Sequence, residues 1–278
     1  MAETLAREAA AFVLRRRDEV FGGDARAADN AAVRTKSTPT DPVTVVDTET
    51  EQLLRDRLAQ LRSGDPVLGE EIGGPTDPAA HAVGTVTWVV DPIDGTVNFV
   101  YGIPAYSVSV AAQVDGFSVA GAVADVVGGR MYSAGAGLGA HLIDEQGSHP
   151  LRCTAVDDLS MALLGTGFAY SKRRRTAQAA LLAKMLPVVR DVRRIGSAAL
   201  DLCMVAAGRL DAYYEHGLNP WDSAAGALIA AEAGARVVLP EPGDPQATAA
   251  LVVAAAPGIA DELLAALERF DGLAPIPG

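Results

Sequence analysis

The chain has 278 residues, of which 49% are hydrophobic, so it can bury a large core as one big domain or two smaller ones. The formal net charge of −12 argues against nucleic-acid binding as its main role. No apolar run reaches the ~18 residues that span a bilayer, and the acidic, alanine-rich N-terminus does not resemble a signal peptide. Cys153 and Cys203 lack CxxC spacing. These features predict a cytoplasmic protein with reduced thiols.

The first half of the chain predicts two helices followed by strands. Apolar residues at helical spacing predict helices over 4–21 and 48–61, the second opened by Asp47. The polar, glycine- and proline-punctuated segment 22–41 predicts a mobile loop. A buried strand is predicted over 86–90. Runs of β-branched and small residues then predict a largely antiparallel sheet, with strands at 106–114, 117–126, 130–134 and 139–143.

The second half of the chain alternates between strand and helix patterns. Strands are predicted at 162–165, 191–195, 211–215 and 251–254, and helices at 176–189, 198–207, 222–233 and 260–270. Such alternation is typical of an α/β arrangement. We therefore predict an α+β half over 1–150 packed on an α/β half over 151–278.

The strand predicted over 86–90 ends in the most informative stretch of the chain. Asp91 and Asp94 follow it, separated by a proline-stiffened turn, and Gly95 and Thr96 open a predicted helix. Converging carboxylates are oxygen ligands suited to Mg²⁺. Backbone N–H groups at a helix N-terminus favour an anion. The alternative interpretation is an ordinary tight turn, because Asp-Pro and Asp-Gly pairs are common turn formers.

Three further acids lie at predicted element ends. Glu70 follows a short apolar run, Asp47 precedes the second helix, and Asp222 begins a helix of small residues. Taken singly, the two aspartates are equally well interpreted as helix caps and Glu70 as a solvated acid. A cluster of these carboxylates with Asp91 and Asp94 would need a cation, because like charges repel.

Several motifs, in the correct order, resemble those of the inositol monophosphatase family. The two signature motifs are matched by Trp88–Phe99 and Trp221–Gly226, and further landmarks by 41–47, 69–71 and 193–199. The resemblance covers residues 5–270. It implies a layered αβαβα sandwich, of mixed α+β and α/β class, like that of the inositol monophosphatases and fructose-1,6-bisphosphatases.

The resemblance also implies a site with two or three Mg²⁺ ions. By similarity, one ion is held by Glu70, Asp91 and the carbonyl of Ile93. A second is held by Asp91, Asp94 and Asp222, and a third, weaker ion near Glu70 gives that residue a catalytic role.

In the family, other residues act on water, phosphate and substrate. The resemblance implies that Asp47 and Thr96 deprotonate the attacking water, and that the N–H groups of Gly95 and Thr96 bind phosphate. The sugar-alcohol is expected at Asp94, Ala198, Glu215 and Asp222, with a loop contact from Lys36.

The expected activity is lithium-sensitive, Mg²⁺-dependent hydrolysis of inositol 1-phosphate to inositol and phosphate. Related enzymes act on histidinol phosphate, fructose 1,6-bisphosphate or 3′-phosphoadenosine 5′-phosphate, and these remain alternatives. By similarity we expect a homodimer without nucleic acid or membrane partners. Some bacterial members also associate with the transcription machinery, which gives a second hypothesis.

Overall fold

The computed structural model describes residues 1–22, 33–36, 41–75 and 82–278. The helices are α1 Ala2–Phe21, α2 Val45–Leu61, α3 Thr96–Tyr101, α4 Lys172–Met185, α5 Ala198–Ala206, α6 Pro220–Glu232 and α7 Ala260–Arg269. The strands are β1 Val33–Thr35, β2 Pro42–Thr44, β3 Val67–Gly69, β4 Val86–Asp94, β5 Ser107–Val114, β6 Phe117–Asp125, β7 Arg130–Gly135, β8 Ala140–Asp144, β9 Gly147–Pro150, β10 Leu163–Thr166, β11 Asp191–Arg193, β12 Ala212–His216, β13 Arg236–Val238 and β14 Leu251–Ala255.

The longer strands form two sheets. The larger has the order β3-β4-β5-β6-β7-β8-β9 and is antiparallel except for the parallel pair β3–β4. The smaller has the order β11-β10-β12-β14-β13, in which β10 pairs in parallel with both neighbours and β14 pairs antiparallel with both of its own. Strands β1 and β2 form a separate antiparallel pair.

Helices cover and separate the two sheets in five layers. Helices α1 and α2 pack on one face of the larger sheet, and α5 and α6 lie between the two sheets. Helices α4 and α7 cover the far face of the smaller sheet, where Met185 and Leu263 are fully buried. Three apolar cores fill the spaces between the layers, and the core around α5 and α6 contacts both sheets. The predicted αβαβα sandwich is thus confirmed.

The structure corrects several predicted boundaries. Strand β4 continues through Pro92 to Asp94, because a bulge between Asp91 and Asp94 lets the chain stay paired with β5. Helix α2 begins at Val45, since Thr44 supplies the cap. Helix α4 begins at Lys172, four residues before the predicted start, because Ser171 caps it.

Other differences concern short strands. Val33–Thr35, predicted as part of a mobile loop, pairs with Pro42–Thr44 as an antiparallel strand. The sequence does not predict strands β9 and β13. The four residues of β9 are all exposed, and the three of β13 are partly exposed, so neither run shows the alternation of apolar and polar residues that indicates a strand. Residues 23–32 and 37–40 of that predicted loop lie outside the described residues.

Two further observations bear on the composition. Cys153 and Cys203 are both free thiols, and Cys203 is buried. Within the described ranges, no helix combines the length and the apolar character that crossing a membrane requires. The division at residue 150 stays a prediction, since α5 and α6 share their core with both sheets.

Candidate active site

The bulge in β4 places two carboxylates at the end of a buried strand. Asp91 lies opposite Ser109 and Asp94 opposite Ser107 on β5. The Ile93 amide donates to Asp91 Oδ1 at 3.0 Å, which fixes that carboxylate against its own turn. Both carboxylates are thus held by backbone geometry in the buried part of the fold.

Two helix N-termini bring in further aspartates, and each uses the same device. In α6, the amide of Asn219 donates to Asp222 Oδ2 at 2.6 Å. In α2, the amide and hydroxyl of Thr44 donate to Asp47 Oδ2 at 2.9 and 2.5 Å. Each aspartate is the third residue of its helix. One of its oxygens accepts from the amide of the N-cap residue, which leaves the other oxygen free to face the site. The alternative interpretation of both aspartates as N-caps is therefore wrong, because Thr44 and Asn219 occupy the cap positions.

Helix α5 holds Asp94 from a third direction. Ser197 Oγ and the amide of Ala199 donate to Asp94 Oδ2 at 2.6 and 2.7 Å. Ser197 also lies 3.1 Å from Ser107 Oγ and accepts from the amide of Leu200. The start of α5 is therefore bonded directly to the carboxylate end of β4.

These elements bring Asp91, Asp94 and Asp222 into one cluster, with one oxygen from each within 4.8 Å of the others. Burial raises the pKa of Asp91 and Asp222 well above their usual range, and the charges of Glu70 and Asp94 raise both pKa values further. Burial also raises the pKa of Asp94 to about 6. Asp91 and Asp94 are buried and Asp222 is half-buried, and three converging carboxylates match the oxygen donor set of Mg²⁺.

Glu70 lies at the edge of this cluster. It follows β3, lines the same cavity, and accepts from Lys36 Nζ at 2.8 Å through Oε1. Lys36 also donates to Glu71 Oε1 at 2.5 Å. The structure thus brings Lys36 to the predicted site, through contact with carboxylates.

Thr96 connects the strand to Asp47. Its hydroxyl lies 3.1 Å from Asp47 Oδ1 and 3.1 Å from the carbonyl oxygen of Ile93, and it can donate its one proton to either. Burial raises the pKa of Asp47 to about 6, although the bonds from Thr44 oppose that shift. Asp47 therefore takes up a proton more readily than an ordinary aspartate.

A cavity of about 400 Å³ connects these groups with the predicted substrate residues. Gly95, Ala198 and Glu215 all line it. Glu215 accepts from the Tyr213 hydroxyl at 2.6 Å, and burial raises its pKa to about 7. Every predicted site residue lines this cavity except Lys36 and Asp47, which contact lining residues.

Gly95 occupies the tightest position in the turn. Its φ of +97° belongs to the left-handed region, and a Cβ there would lie 3.0 Å from the Ala105 carbonyl oxygen and 3.1 Å from that of Gly196. The turn between Asp94 and Thr96 consequently requires glycine.

Some lining residues were not singled out in the sequence. Arg193, placed in a family landmark, is exposed and pairs with Asp191 at 2.6 Å, whereas its neighbour Arg194 lines the cavity. Asp201 also lines it, buried within α5. The signal for Asp201 was available, because it is the one charged residue in the apolar run Ala198–Ala206.

Comparisons with known proteins find similar sequences and structures over nearly the whole chain. A sequence model described as "Inositol monophosphatase family" matches residues 1–271. The inositol-1-monophosphatase of Mycobacterium leprae is 77% identical over 276 residues, covering 99% of this chain and 95% of that protein. The structure of Mycobacterium tuberculosis SuhB superposes with a TM-score of 0.82 at 66% identity, covering 98% of this chain and 96% of that one. A protein of Pasteurella multocida named Nus factor SuhB is 38% identical over 237 residues, 85% of each chain.

Proposed function

The chain belongs to the inositol monophosphatase family and is a phosphatase, and we propose that it hydrolyses inositol 1-phosphate in a Mg²⁺-dependent reaction. The observation that carries this proposal is the cluster of Asp91, Asp94 and Asp222 in the wall of a cavity that Glu215 also lines. The relative from M. leprae is named for the same substrate.

The clustered carboxylates fit Mg²⁺ in charge and donor type. Asp91, Asp94 and Asp222 would hold the ions, together with Glu70 and the carbonyl of Ile93. When bound, the ions supply Lewis acidity that activates water and neutralises charge on the phosphate. Lys36 Nζ pairs with Glu70 Oε1 at 2.8 Å, so Lys36 and a cation would compete for this carboxylate.

Thr96 and Asp47 supply the route for the proton of the attacking water. The Thr96 hydroxyl accepts a proton from water as it donates its own to Asp47 Oδ1, across the 3.1 Å that separates them. Thr44 holds the second oxygen of Asp47, so the receiving oxygen stays oriented toward Thr96.

Residues of the cluster and beside it would bind the phosphate and the polyol. The amides of Gly95 and Thr96 donate to the phosphate, which Gly95 can approach closely because it has no side chain. Glu215 accepts from ring hydroxyls, together with Asp94, Asp222 and the backbone at Ala198.

Phosphate release measured on a panel of four esters tests the substrate. We expect the highest kcat/KM on inositol 1-phosphate, compared with histidinol phosphate, fructose 1,6-bisphosphate and 3′-phosphoadenosine 5′-phosphate. Activity should require Mg²⁺ and fall on addition of Li⁺. Preference for histidinol phosphate would refute the choice of substrate, and full activity in excess chelator would refute the metal dependence.

A second candidate function is suggested by the relative named Nus factor SuhB. We propose a transcription-machinery partner as an additional role, along with a homodimeric, cytoplasmic protein. A pull-down with the Asp94→Asn variant tests the partner, because binding that persists without the metal cluster would be independent of catalysis. Size-exclusion chromatography with light scattering tests the dimer.

A further inference from the structure

Asp201 is a buried acid in the cavity wall that the proposed reaction does not use. It is the fourth residue of α5, is 1% exposed and lines the same cavity as the metal cluster. Its Oδ1 has no hydrogen-bond partner among the described residues. A buried polar atom without a partner costs free energy, so a donor that a ligand brings into this cavity would stabilise Asp201 Oδ1.

Two glycines make room for this carboxylate and for Glu215. A Cβ on Gly165 would lie 3.1 Å from Asp201 Oδ1 and 2.8 Å from Leu210 Cδ1. A Cβ on Gly167 would overlap the carboxylate of Glu215. Because the glycines are two residues apart on an extended segment, they face the same side. The face of this segment that Asp201 and Glu215 approach therefore has no side chains at positions 165 and 167.

The two acids need neutral donors. Glu215 already accepts from Tyr213 through Oε2, which leaves Oε1 for a ligand. Burial is the largest cause of the raised pKa of Asp201, and the charge of Glu215 is the second largest. The charge of Arg194 lowers the pKa of both acids. A polyol suits this wall, because adjacent hydroxyls can donate to both acids without adding charge to the cavity.

We propose that Asp201 is a specificity-determining residue that accepts a hydrogen bond from a polyol hydroxyl next to the one that Glu215 accepts from. The inference rests on the proposed function, since it assigns a further contact to the same substrate. It predicts that Asp201 matters for substrates with ring hydroxyls and not for phosphate esters that lack them.

The test compares the wild-type protein with Asp201→Asn on inositol 1-phosphate and on p-nitrophenyl phosphate, which has no hydroxyls. The side-chain amide that this substitution introduces is a weaker, neutral acceptor than a carboxylate, so Asp201→Asn should raise KM for inositol 1-phosphate about tenfold. We expect kcat and the kinetics on p-nitrophenyl phosphate to stay unchanged. The melting temperature of the substrate-free variant should equal or exceed that of the wild type, because a buried charge without a partner has been removed.

Asp211→Asn provides the matched control. Both oxygens of Asp211 have partners within the protein, the Thr154 hydroxyl and the Leu163 amide, each at 2.7 Å. This variant should lower the melting temperature and leave the ratio of the two KM values unchanged. A lower melting temperature in Asp201→Asn, with equal KM changes on both substrates, would show a structural role and overturn the proposal.

Further outcomes separate this inference from the proposed function. A larger KM change on ethanolamine phosphate than on inositol 1-phosphate would overturn the polyol in favour of an ammonium group. If Asp201→Asn fails to fold, Asp201→Ala is measured in its place, with the same expected KM ratio. A wild-type protein inactive on every ester with Mg²⁺ would refute the proposed function, whereas unchanged KM values in an active Asp201 variant would refute only this inference.

Discussion

Replacing Asp47 by Asn should remove the proton acceptor and leave the fold intact. The Asn side-chain oxygen can still accept from Thr44, but its NH₂ group then faces Thr96, which lies 3.1 Å away in the wild type. The Thr96 hydroxyl must consequently donate to the Ile93 carbonyl, also 3.1 Å away. Because general-base catalysis contributes about 10²–10⁴-fold, we expect kcat to fall by that factor.

The stability change for Asp47→Asn should favour the variant. The folded-state pKa of about 6, against an ordinary 3.8, means that the ionised carboxylate costs the Mg²⁺-free protein about 3 kcal/mol at neutral pH. Stability from this raised pKa is fully present below pH 3.8 and is lost as the pH rises through about 6. The variant also loses the favourable interaction between a negative charge and the N-terminus of α2, which lowers the free energy of unfolding by only about 0.3–1 kcal/mol. Thermal unfolding in excess chelator should thus show a variant at least as stable as the wild type at pH 7.5.

The assay is phosphate release from inositol 1-phosphate at saturating Mg²⁺. Thr96→Val should lose as much kcat as Asp47→Asn, and the double variant should lose no more than either, because the two groups act as one unit. Thr96→Ser, which keeps the hydroxyl, is the matched control and should stay close to wild type. An Asp47→Asn enzyme that keeps more than a tenth of wild-type kcat, or losses that add in the double variant, would refute the proton route.

Three further predictions concern the metal cluster, the turn and the substrate acid. Asp94→Asn should abolish turnover and the rise in melting temperature that Mg²⁺ gives the wild type; near-normal kcat at high Mg²⁺ would contradict its role as a ligand. Gly95→Ala should lower the free energy of unfolding by about 1–3 kcal/mol and reduce activity, since its φ of +97° is strained for alanine; an unchanged urea midpoint would refute this. Burial raises the pKa of Glu215 from 4.5 to about 7, so the Mg²⁺-free protein should lose stability as the pH rises across that interval. Glu215→Gln should flatten this dependence in melting curves, and an equal slope in both proteins would show that Glu215 does not cause it.

Local patterns identified the clustered carboxylates because the chain places them at element ends. Asp91 and Asp94 follow a buried strand that periodicity detects, and Asp222 opens a helix of small residues. Their convergence depends on two sheets packing around α5 and α6, and no spacing along the chain encodes that contact. The family resemblance supplied it instead.

The details that escaped prediction arise from hydrogen bonds between distant segments. Thr44 rather than Asp47 caps α2, because its hydroxyl accepts from the amides of Val46 and Asp47. Ser197 bonds Asp94 across 103 positions of sequence. The strand at Val33–Thr35 forms only because Pro42–Thr44 lies beside it, and an isolated three-residue run carries no measurable preference of its own.

Asp47 and Asp222 each belong to the site and also accept a backbone hydrogen bond at the start of a helix. Exchange of the donating amides with solvent therefore reports on the integrity of the site. The amides of Thr44 and Asn219 exchange with solvent only when they release these carboxylates, so fraying of the first turn of α2 or α6 also disassembles the site. Local opening of a single helical turn is enough to inactivate such a protein long before it unfolds. Slower amide exchange at these two positions on addition of Mg²⁺ would therefore measure, residue by residue, how far the cation holds both helix ends closed.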